Sequence, residues 1–492
     1  METDVLVVGA GPTGLALACG LAAAGVAVRV LDAAAGPATT SRALALQPRG
    51  AEVLDRLGAL GDLPDRGLPI DRLVMFVDGR ELASLRIGQA LRPGEPGILL
   101  VSQAVIEAAL RDRLTALGGT VEWGQRVTGV DADADGVTVG LDGAPPLRAS
   151  WVVGADGAHS AVRKAAGIGF AGVPLIERFL LADVHADLNR PRTTTAAWLR
   201  GSEMLVAMPL PGEDLWRLMS PAPPDAPGEL QPDDVVGYLA ALVNAEIGGT
   251  VHTTEWTSVF GIQRRLASAY RRGRVLLAGD AAHIHSPLGG QGMNTGIGDA
   301  ENLAWKLALV VSGRAEPTLL DSYGAERRPI AADVVASTST VTVGALGQGR
   351  AARLLRDRVA VPLLNQGWLQ RLIIDKASQL QVSYRRGPLG ARRWPPVGRR
   401  AGDRVRNREC VRADGTAIRL YDALGPAWAL LGPEPLAEIA RARLGEVVGL
   451  RGDGEALLVR PDGHLAWRGT DPHALRGWLD GALGPRTGVL TA

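Results

Sequence analysis

The chain is poor in several features, and each shortage excludes a class of protein. Two cysteines, Cys19 and Cys410, occur in 492 residues, too few for a disulfide framework or a cysteine-ligated zinc cluster. The 53 basic and 52 acidic residues leave a net charge of +1, so no bulk field attracts nucleic acid or anionic lipid. No apolar run reaches the roughly 20 residues that a membrane-spanning helix needs. We therefore expect a globular protein that binds neither nucleic acid nor membranes.

The remaining bulk properties concern size and location. The chain is 46% hydrophobic and 21% charged, and its length suits two to four domains of roughly 100–200 residues. Its acidic start, Met1-Glu2-Thr3-Asp4, leads directly into a strand-like run and does not resemble a signal peptide. Together with the low cysteine content, this predicts a reducing, cytoplasmic location.

A glycine-rich turn follows the first predicted strand. Residues 4–9 are a β-branched run, a helical stretch continues to Ala24, and a second strand, Val26 to Leu31, ends at Asp32. The spacing matches the GxGxxG fingerprint of dinucleotide-binding βαβ units, whose glycines allow a tight turn and let the backbone approach a pyrophosphate. In such units the acid after the second strand binds a ribose hydroxyl. The fingerprint does not distinguish FAD from NAD, and its candidate binding residues are Gly9, Gly11, Thr13, Gly14 and Asp32.

Two later segments also combine a strand end with glycine and aspartate. Within residues 151–167 a strand ends at Gly154-Ala155-Asp156-Gly157, and a helix begins near Ser160. Within residues 273–308 a strand ends at Gly279-Asp280, and a glycine-rich loop leads into a helix. An acid in such a position can also cap the next helix. The cap interpretation therefore stays open for Asp156 and Asp280.

In this order, the three segments resemble the GxGxxG, DG and GD motifs of the class A flavoprotein aromatic monooxygenases, which include para-hydroxybenzoate and phenol hydroxylases. The resemblance covers about the first 330 residues. It implies FAD as cofactor, NAD(P)H as transient electron donor and O2 as co-substrate. It also implies a C4a-hydroperoxyflavin that hydroxylates an electron-rich aromatic ring, shielded from water. The absence of a second dinucleotide fingerprint agrees with a donor that binds only transiently.

The resemblance implies roles for residues around the flavin ring. Asp280 would bind the ribityl chain. Pro287 would lie against the ring near its reactive carbon, and Arg42, within Ser41-Arg42-Ala43-Leu44, would steady the ring unless it is a surface arginine. The glycine-rich loop after the GD motif comprises Gly290, Gln291, Gly292, Met293 and Asn294. Its backbone N–H groups would face the pyrimidine edge of the flavin ring.

Three further positions follow from the resemblance. Gln103 would reach the phosphate–ribityl arm, unless it only caps its own turn. Val127 would contact the adenine through its backbone, and Asp156 would support the pyrophosphate region and the approach of the nicotinamide donor. Arg42 and Pro287 are thus the expected catalytic residues. No position identifies a catalytic base, for which Tyr238 and Tyr270 are the candidates.

A histidine pair invites a metal interpretation. His283 and His285 are two residues apart, and no third histidine or cysteine lies nearby. Such a pair in a loop rarely forms a metal site alone. We expect packing or loop hydrogen bonding for both, and no metal.

The fold class implied is α/β: a glutathione-reductase-type Rossmann-like FAD-binding domain interrupted by a β-sheet substrate domain, with a C-terminal thioredoxin-like domain. The FAD-binding domain would comprise 1–175 and 266–395, with bridging helices in 330–395. The substrate domain would comprise 176–265 with about 70–100. Strands are expected at 179–185, 204–209, 259–262 and 427–431.

Three tryptophans of the middle region could stack on a substrate, but core packing is favoured; these are Trp198, Trp216 and Trp256.

The tail, 396–492, contains the run RPDGHLAWR at 460–468, in which Pro-Asp-Gly is a turn signal between two strands. It resembles the C-terminal domain of phenol hydroxylase-type enzymes and aromatic polyketide hydroxylases, which implies a bulky phenol of polyketide or antibiotic type as substrate. No CxxC is present, so we expect a structural or interface role and no thiol chemistry.

Several functions remain open at this point. The same scaffold could insert oxygen by a Baeyer–Villiger route or inactivate an antibiotic as rifampicin monooxygenases do. It could dehydrogenate or reduce a substrate without oxygen insertion. It could also be a non-catalytic flavin-binding subunit of a biosynthetic complex. The oligomeric state, monomer or homodimer, is equally open.

Overall fold

The computed structural model describes residues 3–40, 43–91, 94–201, 203–223, 226–286, 290–346, 354–390, 400–452 and 454–485. Over these residues the chain is a mixed α/β protein, as its sequence predicts. The α-helices are α1 (Pro12–Ala23), α2 (Pro48–Leu57), α3 (Leu63–Arg66), α4 (Ile87–Ala90), α5 (Gln103–Ala116), α6 (Ala161–Ala165), α7 (Pro232–Ile247), α8 (Gly292–Val311), α9 (Asp321–Leu346), α10 (Val361–Leu363), α11 (Gly367–Ser378), α12 (Leu420–Leu424), α13 (Glu434–Leu444) and α14 (Pro472–Leu483).

The first sheet has a parallel centre whose strands come from distant parts of the chain. Thr3–Val8 pairs in parallel with Val28–Leu31 on one side and with Ala144–Gly154 on the other. The sheet continues in parallel to Val121–Glu122 and Val275–Leu277 at its two ends. The buried centre of the sheet, Val5–Val8, Trp151–Val153 and Val275–Leu277, consists of apolar runs, as is typical where helices cover both faces. Antiparallel strands extend the sheet at Arg271–Arg272, Val127–Ala132 and Val137–Leu141.

Helix α1 is almost wholly buried between this sheet and α8. Its residues Gly14 to Leu21 are all buried. The helices approach closely at Gly20, where a Cβ would lie 2.8 Å from the Cβ of Ala304. Glycine there permits a helix contact that a larger residue would prevent. As a result α8 is held directly against the first βαβ unit.

The second sheet is mainly antiparallel. Two long strands, Phe170–Asp187 and Thr250–Ala267, lie side by side. Helix α7 covers one face, under which Trp198 and Trp216 are buried. The full order is His283–Ile284, Thr250–Ala267, Phe170–Asp187, Leu215–Pro221, Glu203–Pro209, Thr194–Arg200, Arg72–Val77 and Arg80–Arg86.

Two side-chain amides close the outer edge of that sheet. Asn365 accepts from the Ser84 N–H at 3.0 Å and donates to the Leu82 carbonyl at 2.7 Å. Gln370 donates to the Ser84 carbonyl at 2.8 Å and accepts from the Arg86 N–H at 3.4 Å. The edge strand therefore has partners for its backbone without a further strand.

The C-terminal residues form a four-stranded sheet with α13 and α14. Its order is Val447–Leu450, Trp428–Leu431, Ala456–Val459 and Leu465–Gly469. Only the first two strands pair in parallel. This unit packs on α8, where Trp305 meets Trp428 edge to face with ring centroids 5.1 Å apart.

Most sequence-predicted elements are present. The strands expected at 179–185, 204–209, 259–262 and 427–431 fall within or on observed strands, and the strand–turn–strand at 456–468 is observed. The second strand is shorter than expected, because it begins at Val28 and not at Val26. Of the helices expected in 330–395, α9, α10 and α11 are present, and 391–399 lies outside the described residues. No helix of the described residues is long and apolar enough to cross a bilayer.

Candidate functional site

The motif residues meet at one edge of the first sheet. Backbone hydrogen bonds join the strand ends directly: Gly9 N to the Leu31 carbonyl at 2.7 Å, and Ala155 N to the Val8 carbonyl at 2.7 Å. Ala278 N continues the row with a 2.9 Å bond to the Gly154 carbonyl. Because the carboxyl ends of parallel strands share an edge, segments that are separate in sequence become neighbours. Open α/β sheets bind ligands in a crevice at that edge.

The three glycines of the first turn differ in the space that a Cβ atom would have at each position. Gly9 has φ +106°, and a Cβ there would lie 2.3 Å from the Ala155 carbonyl oxygen. A Cβ on Gly14 would lie 1.9 Å from the Gly9 carbonyl oxygen. Gly11, the N-cap of α1, has open space where its Cβ would be and no side chain capping the helix. The first N–H groups of α1 therefore face a space that a ligand phosphate could enter.

Thr13 connects the turn to the third motif. A Cβ on Gly279 would lie 2.5 Å from the Thr13 Oγ1, and a Cβ on Gly296 would lie 2.2 Å from the same atom. Thr13 is thus enclosed by two glycines, one before Asp280 and one in the first turns of α8. Small residues at both positions allow the turn, the third motif and α8 to pack together.

Asp32 binds one backbone group of the first glycine-rich turn and one of its own loop. Its Oδ2 accepts from the Ala10 N–H at 2.7 Å and its Oδ1 from the Ala34 N–H at 2.8 Å. Gln103, the first residue of α5, donates to Glu107 at 2.7 Å. Burial raises the pKa of Glu107, and the nearby Asp32 charge adds to this rise. The hydroxyl of Ser102, the N-cap residue of α5, accepts from the Ala104 N–H at 3.3 Å.

Asp280 identifies a cleft. Its side chain is accessible, although it lies deep inside the molecule. An accessible group surrounded by protein must line a recess. The surrounding protein raises the pKa of Asp280, and the neighbouring His283 only partly opposes the rise. A polar ligand in the recess would supply the partners that such a carboxylate needs.

The loop before α8 is fixed by one side chain. Asn294, almost fully buried, donates to the carbonyls of Gly290 at 2.8 Å and Ala45 at 2.9 Å, and accepts from Gln47 N–H at 2.9 Å. Gly290 has φ +62° and lies against Ala45. Gln291 is the N-cap residue of α8, and Gly292 and Met293 are its first two residues. The helix therefore begins at the cleft, and Asn294 faces the protein rather than the open space.

Both histidines of the third motif hold loop structure. His283 Nε2 lies 2.6 Å from Asp299 Oδ2. His285 Nδ1 donates to the Ser286 carbonyl at 2.9 Å, and its Nε2 is buried without a partner among the described residues. Its ring lies 3.4 Å from where a Cβ on Gly292 would be. Burial lowers the pKa of His285 to about 4, so the ring stays neutral beside the start of α8.

Asp156 and Val127 lie nearby with other contacts. The Asp156 carboxylate accepts from the N–H groups of Ala161 at 2.7 Å and Val162 at 3.2 Å, and from the Ser160 hydroxyl. This is the helix-cap geometry that the sequence left open. Val127 is buried at the start of its strand.

Two predicted catalytic residues, Arg42 and Pro287, lie outside the described residues. The candidate bases are poorly placed. Tyr270 is buried in the core of the first sheet, where burial raises the pKa of its phenol well above the ordinary value. Tyr238 lies on α7, which covers the far face of the second sheet.

Sequence reasoning missed two features. Asp299 is fully buried and accepts from Gly279 N–H at 3.1 Å and from Arg327 Nε at 2.7 Å. The other feature is an apolar sheet face opposite α7, which we call the methionine face, formed by Met75, Met204, Met208 and Met219. Alternation along the predicted strands could have revealed this face.

The methionine face adjoins the cleft. Met208 and Ala45 both pack against the apolar cluster that contains Leu44, and Ala45 lies next to Gly290. Trp256 belongs to this face, unlike the two buried tryptophans under α7. Its charged pair, Arg217 and Asp183, is joined by two bonds of 2.7 Å. Met204 and Met219 are buried, and Val361 of α10 packs on the same cluster, so the accessible part of this face includes the half-buried Met75 and Met208.

Comparison with known proteins agrees with this site. Residues 2–338 match the family described as FAD binding domain. The 6-methylpretetramide 4-monooxygenase of Streptomyces rimosus is 40% identical over 345 residues, which are 69% of this chain and 61% of that protein. The rifampicin monooxygenase of Streptomyces venezuelae is 36% identical over 488 residues, covering 96% of this chain and 97% of that protein.

Solved structures extend the likeness over nearly the whole chain. The anhydrotetracycline hydroxylase OxyS from Streptomyces rimosus superposes with a TM-score of 0.80 at 33% identity, covering 99% of this chain and 100% of the other. The Diels-Alderase PyrE3 of pyrroindomycin biosynthesis superposes with a TM-score of 0.79 at 30% identity, covering 98% and 100%. With the family match over most of its length, the chain belongs to the group A flavoprotein aromatic monooxygenases.

Proposed function

We propose that this chain is an FAD-dependent, NAD(P)H-consuming monooxygenase that uses O2 to hydroxylate a bulky phenol of polyketide or antibiotic type. One observation carries the proposal: the glycine turn, Asp32 and Asp280 lie along the carboxyl ends of neighbouring parallel strands, where Asp280 lines a deep recess. The names of relatives, which refer to rifampicin, 6-methylpretetramide and anhydrotetracycline, support the substrate class.

The residues present fit FAD. The open space at Gly11 and the uncapped start of α1 suit a pyrophosphate, since helix N-termini bind anions. Asp32 lies at the end of the second strand, where ribose is bound in such units. Asp280 supplies an accessible carboxylate for a hydroxylated chain. The start of α8 offers backbone N–H groups for the electron-accepting edge of a ring.

Bound FAD supplies electron transfer from NAD(P)H and activation of O2, which the side chains alone cannot provide. The chain contributes position and electrostatics. Gln103 and Asp156 would support the phosphate and ribityl region, and Val127 the adenine. The loop Gly290–Asn294 would orient the ring, and Pro287 and Arg42 would contact it, as the resemblance implies. The neutral His285 adds no charge at the start of α8.

The accessible part of the methionine face, which includes Met75 and Met208, suits an apolar polycyclic substrate. Methionine side chains are flexible and polarizable and make favourable sulfur contacts with aromatic rings. Four of the six methionines of the chain lie on this face. Its charged side chains, Arg217 and Asp183, bond each other. A substrate held there would be recognised mainly by shape and aromatic surface, not by a carboxylate.

The proposed organisation follows the same reasoning. The first sheet and its helices would form the Rossmann-like FAD-binding domain, 1–175 with 266–395, and the second sheet the substrate domain, 176–265 with about 70–100. Residues 396–492 would form a thioredoxin-like domain without thiol chemistry, because Cys410 has no cysteine partner. We propose a cytoplasmic protein, monomeric or homodimeric.

The decisive experiment is anaerobic reduction of the purified holoprotein by NADPH or NADH, followed by flavin absorbance with and without a panel of polycyclic phenols. Strong acceleration of reduction by one compound supports the proposal and identifies the substrate class. Fast reduction without any compound would favour a reductase or oxidase. No reduction by either donor would contradict the proposal and favour a non-catalytic flavin-binding subunit.

A second candidate is bond formation without oxygen insertion, because PyrE3 is a Diels-Alderase and is similar to this chain over 98% of its length. Turnover under labelled dioxygen separates the two functions. Hydroxylation places one labelled oxygen atom in the product, whereas cycloaddition or dehydrogenation places none. A Baeyer–Villiger insertion also incorporates label, and product NMR would distinguish its lactone or ester from a phenol.

A further inference from the structure

The C-terminal turn Arg460–His464 inserts charged side chains into the helices behind the cleft. The Asp462 carboxylate is almost fully buried and accepts from Trp305 Nε1 at 3.1 Å and Asn302 Nδ2 at 3.3 Å. Both partners belong to α8. Within its own turn, Asp462 also accepts from Arg460 and from His464. The turn therefore contacts α8 through a carboxylate whose bonding capacity is filled.

Arg460 extends this contact to α9. Its guanidinium donates two bonds of 2.9 Å to the Glu326 carboxylate. Glu326 also accepts from Lys306 Nζ and Asn302 Nδ2, each at 2.8 Å. The side chains of Arg460, Lys306, Glu326 and Asp462 are at most 1% exposed. The four charges sum to zero, so this set, which we call the buried charge cluster, is complete without solvent.

Such a cluster is not explained by stability alone. Buried ion pairs are often no more stabilising than apolar residues of similar volume, but each member is costly to leave without its partner. Arrangements of this kind have few alternative geometries, because a shift of any member breaks several short bonds.

Helix α8 joins the cluster to the cleft. Asn302 lies about one helical turn after Asp299, whose carboxylate accepts from the Gly279 N–H at 3.1 Å. Gly279 directly precedes Asp280. At its start, the same helix carries Asn294, which holds the loop at Gly290 and Ala45. A displacement of α8 would thus move both sides of the cleft.

A second path runs through α9. Arg327, next to Glu326, donates to Asp299 at 2.7 Å, to the Thr295 carbonyl at 2.9 Å and to the Tyr384 hydroxyl at 3.1 Å. The Tyr384 ring in turn lies 4.2 Å from the ring of His464, centroid to centroid. The C-terminal turn therefore contacts the supports of the cleft through both helices.

A third contact reaches α2. Arg49 donates to the Asp462 carbonyl at 2.7 Å, and to Glu301 of α8 at 3.3 Å. Arg404 pairs with Glu52, also on α2. Helix α2 begins directly after Gln47, whose N–H bonds Asn294. Helices α2 and α8, which both meet at Asn294, are therefore held from the C-terminal side.

We propose that Arg460 and Asp462 are positioning residues for the cofactor cleft: by binding α8 and α9 they fix the positions of the start of α8 and of the Gly279–Asp280 turn. This inference gives the C-terminal unit a role in cofactor binding. It rests on the proposed function only in that the ligand of the cleft is FAD.

The test compares Asp462→Asn with Leu450→Ala in the full-length protein. The first substitution keeps the size of the side chain but removes its charge. Leu450 is buried in a cluster made only of C-terminal residues, so Leu450→Ala destabilises the same unit without touching the buried charge cluster. The first readout is amide hydrogen exchange of flavin-free protein in peptides that cover Gly279 and Asn294. The second is the dissociation constant of FAD, with the visible spectrum of the bound flavin.

We expect Asp462→Asn to speed exchange at Gly279 and to raise the dissociation constant of FAD about tenfold, which corresponds to a coupling of about 1.4 kcal/mol. It should also shift the flavin absorbance bands. Leu450→Ala should lower the melting temperature and speed exchange only within 400–485. If Asp462→Asn changes exchange only within 400–485 and leaves FAD affinity at the wild-type value, the inference is wrong.

The exchange readout separates this inference from the proposed function. If wild-type protein binds no FAD, the proposed function fails, while exchange at Gly279 still decides whether the C-terminal turn positions the cleft. If FAD binds but the two variants behave alike in both readouts, the proposed function stands and the positioning role is excluded.

Discussion

The Nε2 of His283 and the Oδ2 of Asp299 lie 2.6 Å apart, and neither side chain is accessible to solvent. Asp299 also accepts from Arg327, and the Arg327 charge together with the hydrogen bonds from Arg327 and His283 lowers the pKa of its carboxyl despite burial. The pair lies beneath the Gly279–Asp280 turn. It therefore connects the cleft edge to α8 and α9.

Replacing Asp299 by Asn should destabilise the protein strongly, because Arg327 would remain as a buried cation without its charged partner. Losses of about 3–5 kcal/mol are typical for such a change. Urea unfolding at pH 7 measures the effect. Asp321→Asn is the matched control, since Asp321 pairs with Arg271 at the surface and is 70% exposed; it should cost less than about 1 kcal/mol. Equal losses in the two variants would contradict the prediction.

The glycines of the first turn should respond differently to alanine. Gly14→Ala would place a methyl group against the Gly9 carbonyl and should cost about 3 kcal/mol. Gly11→Ala meets open space and should change stability by less than about 1 kcal/mol. Its methyl group would nevertheless stand before the start of α1, so FAD should bind at least about tenfold more weakly. Thermal unfolding and flavin titration together decide between these outcomes.

Thr13 and Gly296 should show coupled effects. Gly296→Ala alone brings a methyl group onto the Thr13 Oγ1 and should cost about 1–3 kcal/mol. Thr13→Ala removes that atom, after which the nearest remaining contact of the new methyl is 3.3 Å, to Gly279 Cα. A double-mutant cycle should therefore show rescue. Strict additivity of the two changes would disprove the close packing.

His285 should make stability depend on pH in the mildly acidic range. Its pKa is lowered from 6.5 to about 4 by burial, so between these values the unfolded chain binds a proton that the folded chain does not. The stabilisation is complete above pH 6.5 and is lost as the pH falls towards 4, by about 1–3 kcal/mol in total. Urea unfolding at several pH values between 7 and 4 measures this loss. The free energy of unfolding of His285→Gln should fall less steeply with decreasing pH than that of the wild type. An unchanged slope would contradict the assignment.

Glu52 should govern a more acidic window. Its pair with Arg404 and its 3.0 Å contact with Arg49 lower its pKa from 4.5 to about 2 against burial. Its stabilisation is therefore present above pH 4.5 and lost as the pH falls towards 2. At pH 7, Glu52→Gln should cost about 3–5 kcal/mol, and the difference from wild type should shrink below pH 4.5. Glu434→Gln, which breaks an exposed pair with Arg441, serves as the control and should show no such pH dependence.

The local geometry of the first turn could be predicted because its signals are local. Glycine spacing and strand-ending acids require only the geometry of one βαβ unit, and so Gly9, Gly14 and Asp32 take structural positions that their spacing predicts. For Asp156 the sequence leaves two roles open, support of the pyrophosphate region and helix capping. Its bonds to the first N–H groups of α6 are those of a helix cap. Arg42 and Pro287 remain predictions.

The supports of the cleft could not be predicted in this way. The turn signal of 460–464 is evident, but its partners Asn302 and Glu326 lie more than 130 residues earlier, and no local pattern links them. The three tryptophans of the middle region lie on two different faces of the second sheet, and no local pattern predicts this either. Trp198 and Trp216 are buried under α7 as expected, whereas Trp256 belongs to the methionine face, and only the strand register decides which face a side chain occupies.

The parallel order of the first sheet also determines when the cleft can form during synthesis on the ribosome. Val152 pairs with Val275, so the nascent chain cannot complete the sheet before residue 277 has emerged, and the C-terminal turn follows at 460–464. At elongation rates of roughly 5–20 residues per second, this interval lasts about 10–40 s. During that time α8 lacks its C-terminal contacts. We therefore expect cofactor loading to be one of the last events in the biosynthesis of this chain.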